Sequence, residues 1–314
     1  MDLDAYPPNL LMTHWCAQRC YHWLPFPCAK GGVDYQQWDE VKKWSQTDWQ
    51  EFIYAGVGSP CEEWPWREVL QRRVASRRGG AYCDFVPEFP AHIELVPFGC
   101  NAYPETLRHI SDPPAILLVQ GAQELLMCKA VAIVGARKAS AFALAETKRL
   151  AARLATLGRV IVSGGAIGCD GMAHWGALTS GALPAPTTVV LAGSVDDAYP
   201  RANLALFARL RQSSALFLSE RLPGATCRPK DFPVRNRIIS GLAPIVVVMQ
   251  AAERSGALVT ARIALDQGRD VWVLRHSQHD IRAAGSARLI EEGASAFSCA
   301  DELVACLATQ AKDS

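Results

Sequence analysis

Short runs that are apolar at nearly every position alternate along this chain with longer stretches in which apolar residues recur every three or four positions. The runs at 131–134, 160–163, 188–192, 215–218, 245–249 and 271–274 are rich in Val, Ile and Leu and are mostly flanked by Gly, Pro, Ser or Asp, which predicts strands. The stretches between them predict helices, one opening at Ser140 and running to about Leu157. Strands that are apolar throughout need cover on both faces, so the order predicts an α/β, doubly wound, mostly parallel sheet. Ile116 to Val119, after the turn Ser111-Asp112-Pro113-Pro114, predicts an extra strand on that sheet.

The first 94 residues differ in kind. Seven of the nine tryptophans lie at or before Trp66, and Trp38, Val41 and Trp44, then Trp49, Phe52 and Ile53, fall at helical spacings. These predict a small, mainly helical N-terminal domain over 1–94, a sheet domain over 95–308 and a short tail over 309–314.

Composition narrows the function classes. Eleven cysteines, an odd number, in a chain that opens Met1-Asp2-Leu3-Asp4 without a basic-then-apolar leader predict reduced thiols in the cytoplasm. No apolar run is long enough to cross a bilayer, so no membrane is expected. Cys16, Cys20 and Cys28 with His14 and His22 lack the spacing of a zinc ribbon or finger, so neither metal nor cofactor is expected. The net charge is +1, so any nucleic-acid surface has to be local. One cluster qualifies: Arg221, Arg228, Lys230, Arg235 and Arg237 against a single acid, Asp231.

Ligands of such sheets bind beyond the carboxyl ends of the strands. There the sequence places Gly135-Ala136-Arg137-Lys138, then Ser163-Gly164-Gly165-Ala166-Ile167-Gly168-Cys169-Asp170, and later Ser255-Gly256 with Thr260. Glycine turns entering helices offer unpaired N–H groups to an anion, and Arg137 and Lys138 add charge. Phe232 beside Arg235, Asn236 and Arg237 offers a ring for bases and cations for phosphates. His174 is expected to be packed rather than catalytic.

GARKAS, SGGAIGCDGMAH, FPVRNRIISGL, AERSGALVTARIAL and AGSARLIEEGA, in this order and spacing, resemble the DNA-processing protein A (DprA/Smf) family over roughly residues 95–305. The resemblance implies an extended Rossmann-like domain that binds single-stranded DNA as a homodimer and helps load a RecA-type recombinase during natural transformation, without enzymatic turnover. It also implies the site: Gly135 and Arg137 in one loop; Ser163, Gly164, Gly168 and Asp170 in the next; Lys230, Phe232, Arg235, Asn236 and Arg237; and Ser255, Gly256 and Thr260. The expected geometry puts phosphates across the N–H groups of the Gly135 and Ser163 loops and against Arg137, Lys138, Arg235 and Arg237, with Phe232 stacking on a base. Three positions depart from the family: Ile167 replaces a Lys or Arg, Gln250 an acid, and Leu274-Arg275-His276 a Pro-Gly turn. The alternative is a nucleotide-binding sensor or nucleotide hydrolase, for which Glu253 is the one nearby carboxylate candidate.

Overall fold

The computed structural model describes residues 92–97, 102–114, 116–221 and 227–310. The stretch expected as a helical N-terminal domain lies outside the described residues up to residue 91, with the seven tryptophans and the Cys16, Cys20, Cys28, His14 and His22 group, as do residues 311–314 of the tail. The compact unit that carries the described residues begins at His92.

Nine strands form one sheet: β1 (Glu94–Pro97), β2 (Ile116–Gln120), β3 (Ala130–Val134), β4 (Val160–Ser163), β5 (Thr187–Val190), β6 (Leu216–Ser219), β7 (Ile245–Val248), β8 (Asp270–Leu274) and β9 (Ser295–Phe297), in the order β1-β2-β6-β5-β4-β3-β7-β8-β9. Only the pairings of β2 with β1 and with β6 are antiparallel. The helices are α1 (Glu105–Arg108), α2 (Ala141–Thr156), α3 (Cys169–Leu178), α4 (Leu204–Gln212), α5 (Asp231–Gly241), α6 (Gly256–Asp266), α7 (Ala284–Glu291) and α8 (Ala300–Gln310). Strands β1 and β9 escape the apolar pattern because one ends in a proline and the other spans three residues at an edge.

Side chains alternate across the pleat. Ala132 and Val134 of β3 pack with Ile238, Leu242, Leu258 and Leu289 on one face, while Val131 and Ile133 pack with Leu150, Leu154, Ala173 and Leu303 on the other. Helices α5, α6 and α7 therefore cover one face, and α2, α3 and α8 the opposite one. The winding reverses between β3 and β7, which is where such sheets open a crevice. Here side chains close it. Gln250 Oε1 accepts from Ser140 N at 2.7 Å and its Nε2 donates to Asp280 at 2.9 Å, while His276 Nε2 lies 2.7 Å from the Met249 carbonyl.

The basic cluster runs into a helix: α5 starts at Asp231 and includes Phe232, Arg235, Asn236 and Arg237. Pro233 falls in its first turn, where a missing N–H leaves no bond unmade. The Asp231 carboxylate in that first turn accepts from Arg228 N, in the segment before the helix, at 2.8 Å and pairs with Arg221 at 2.6 Å.

His174 on α3 has no exposed surface. The Thr187 hydroxyl donates its one proton to Ile161 O, so His174 Nδ1 carries the hydrogen in its 2.7 Å contact with Thr187 Oγ1. Its Nε2 is buried without a partner, and burial, helped by the Arg235 charge, drives the imidazole down to about 3. The unfolded chain binds this proton near pH 6.5 and the folded chain does not, so stability falls as pH drops from 6.5 toward 3, at up to about 1.4 kcal/mol per pH unit. Urea unfolding at pH 7, 6 and 5 should show that slope for the native chain and a shallower one for His174→Gln; equal slopes would contradict it.

Candidate nucleic-acid interface

The carboxyl ends of β3, β4 and β5 and the first turn of α5 meet around one aromatic ring. The Arg137 guanidinium stands 5.2 Å from the Phe232 centroid, that of Arg235 stands 5.9 Å away, and the Tyr199 ring lies 6.0 Å from it, tilted by 59°. Arg137 and Arg235 thus share one corner of the molecule. Arg137, Lys138 and Lys230 are exposed, and Phe232 and Asn236 are half-buried. The ring holds two guanidiniums over it by cation–π attraction and still keeps part of its surface in solvent.

Arg235 faces inward. It is 5% exposed, and its Nη1 donates to Gly164 O at 2.7 Å and to Val190 O, clamping the ends of β4 and β5 to α5. A side chain at Gly164 would occupy the position of the guanidinium. Asp170 lies close enough to supply the countercharge, and its buried carboxylate accepts from Ala166 N at 3.4 Å and from Gly164 N. Burial raises the Asp170 carboxyl above its ordinary value while Arg235 and these amides oppose the rise. The same burial lowers Arg235 to about 10, so the guanidinium stays charged at neutral pH.

These contacts place several of the groups expected to meet phosphate inside the fold. The anion gathered by the Ser163 loop is the chain's own Asp170, and the first-turn donors of α3 are also used, with Cys169 N donating to Ala136 O and Gly171 N to Ala166 O. The Ser163 hydroxyl is buried and donates to Ile133 O at 2.6 Å. Gly168, at φ +83°, has no space for a Cβ because the Ala136 and Arg137 carbonyls stand there; at Gly135 the Cys169 side chain does. Arg237 is 9% exposed, bidentate to Glu220 at 3.1 and 2.7 Å and bonded to Asp112 at 3.1 Å. Beside β7, Ser255 caps α6 by accepting from Ala257 N at 3.1 Å, and the buried Thr260 donates to Gly256 O at 3.3 Å. Ser163, Gly164, Gly168, Arg235 and Arg237 therefore build the frame behind Arg137, Lys138, Lys230 and Phe232, while the hydrogen bonds of Ser255 and Thr260 stay within α6.

Several participants carried little sequence signal. Asn203 Nδ2 donates to Gly165 O and Ala166 O at 2.9 and 3.0 Å, holding the Ser163 loop from the far side. Glu220 and Asp112 fix Arg237 from distant parts of the chain. Tyr199 could have been found, because it follows β5 in a loop that the carboxyl-end rule selects.

Residues 94–308 match the family described as DNA recombination-mediator protein A. The chain belongs to that family. It is 39% identical over 212 residues to the DNA processing protein DprA of Bacillus subtilis, covering 67% of this chain and 70% of that one. It is 37% identical over 207 residues to the Smf protein of Escherichia coli, covering 66% and 54%. The solved DprA of Streptococcus pneumoniae superimposes with a TM-score of 0.67 at 33% identity, covering 76% of this chain and 81% of that one. The DNA processing protein A of Helicobacter pylori, whose structure concerns its single-stranded DNA binding mode, does so with a TM-score of 0.63 at 29% identity, covering 69% and 96%.

The division between inward and outward arginines has a stability signature. Arg235→Ala strips the buried Asp170 of its countercharge and two carbonyls of their donor, which should cost about 3–5 kcal/mol. Arg137→Ala, at an exposed position, should stay within about 0.5 kcal/mol of the native chain. Urea denaturation of both variants checks this, and a comparable loss in the two would refute the assignment.

Proposed function

We propose that this chain binds single-stranded DNA on the face around Phe232, with phosphates on Arg137, Lys138 and Lys230 and a base against the ring. In this reading it protects incoming or processed strands and assists loading of a RecA-type recombinase in natural transformation, acting in the cytoplasm as a homodimeric mediator without turnover. The observation that carries the binding reading is the exposed Arg137 packed on a half-exposed aromatic beside further free-standing cations, a combination of charge and ring suited to an unpaired strand. The family's description as a recombination mediator and the Helicobacter pylori relative's single-strand binding support the wider role. No helix among the described residues is long and apolar enough to cross a membrane.

Three phosphate contacts on a single strand should give a log–log salt slope of about −2. Fluorescence anisotropy with labelled oligothymidine at several salt concentrations should show that slope. Arg137→Ala should weaken binding alike for every sequence and reduce the slope by about 0.7, because a phosphate contact carries no base information. Salt-independent binding, or no binding at low salt, would overturn the proposal.

A further inference from the structure

Two large apolar side chains on this face are exposed: Tyr199 at 51% and Ile167 at 39%. Strand β4 lies between β3 and β5, so the loop holding Ile167 lies between the loop of Arg137 and the loop of Tyr199, while the Phe232 ring touches both Arg137 and Tyr199. The face is therefore graded: cations at the Arg137 and Lys138 end, an uncharged middle at Ile167, and an exposed ring at the Tyr199 end. Along the chain the ring stands between two exposed acids, Asp196 and Asp197, and the exposed Arg201. The two carboxylates offset that one cation, and the flat face of the ring stays available.

We propose that Tyr199, beside the Phe232 ring, seats an unpaired nucleobase whose backbone runs over the Arg137 end. This deepens the single-strand reading and rests on it. Bases in a duplex are already stacked on their neighbours and offer no free face, so this seat selects single strands where phosphate contacts cannot. Tyr199 sets specificity and Arg137 sets salt dependence.

The test compares two strands of equal length, oligothymidine and an abasic strand with the same phosphates, by anisotropy. The native chain should bind oligothymidine more tightly. Tyr199→Ala should lose about tenfold on oligothymidine, lose nothing on the abasic strand and keep its salt slope, while Tyr199→Phe, which retains the ring, should bind like the native chain. Ile167→Lys should steepen the salt slope by about 0.7 by adding a phosphate contact in the uncharged middle. If Tyr199→Ala binds oligothymidine like the native chain, or weakens on both strands equally, the seat is wrong while single-strand binding stands. If the native chain binds neither strand, the single-strand reading itself fails, and the seat with it.

Discussion

Burial of Arg235 is the constraint on which the face depends. A guanidinium taken out of water needs partners and a balancing charge, and here carbonyls at the ends of β4 and β5 both take Nη1 and the carboxylate of Asp170 supplies the countercharge, while Nε is buried without a partner. Those partners stand 71 and 45 residues before it in the chain, so the bonds fix α5 against strands that local structure would not hold there. Phe232 sits three residues earlier on the same helix, and its ring is thereby aimed at Arg137. Gly164 is the complementary demand, since any side chain there would displace the guanidinium.

Arg237, two residues along and on another side of the helix, repeats this logic with Glu220 and Asp112 as countercharges. A cluster that looks uniformly basic in the sequence is thus divided by function. Arg221, Arg235 and Arg237 are bonded internally, while Lys230, joined by Arg137 and Lys138 from another loop, keeps its charge in solvent. That division explains how a chain of net charge +1 can present a cationic face: the charge is concentrated by geometry rather than by excess.

The sheet was legible in the sequence because β3, β4 and β7 are buried on both faces and need apolar residues at every position. The carboxyl-end rule then named the loops, and the structure brings Arg137, Phe232 and Arg235 together there. What could not be read was the direction each arginine takes. Nothing local marks Arg137 as outward and Arg235 as inward; the Gly164 and Val190 carbonyls, supplied by other strands, turn Arg235 inward. The glycines of the Ser163 loop were misleading for a related reason: they predict room for an anion, and the anion is Asp170, four residues from Ala166 on the chain itself. Pro233 likewise suggests a loop until its place in a first helical turn is known.

The central claim is that DNA meets outward side chains while the glycine loop stays closed on Asp170. A crystal structure of the chain with oligothymidine tests it most directly. The account predicts phosphates within hydrogen-bonding distance of Arg137, Lys138 or Lys230, with the Asp170 carboxylate still bonded to the Gly164 and Ala166 amides; a phosphate seated on those amides with Asp170 displaced would contradict it.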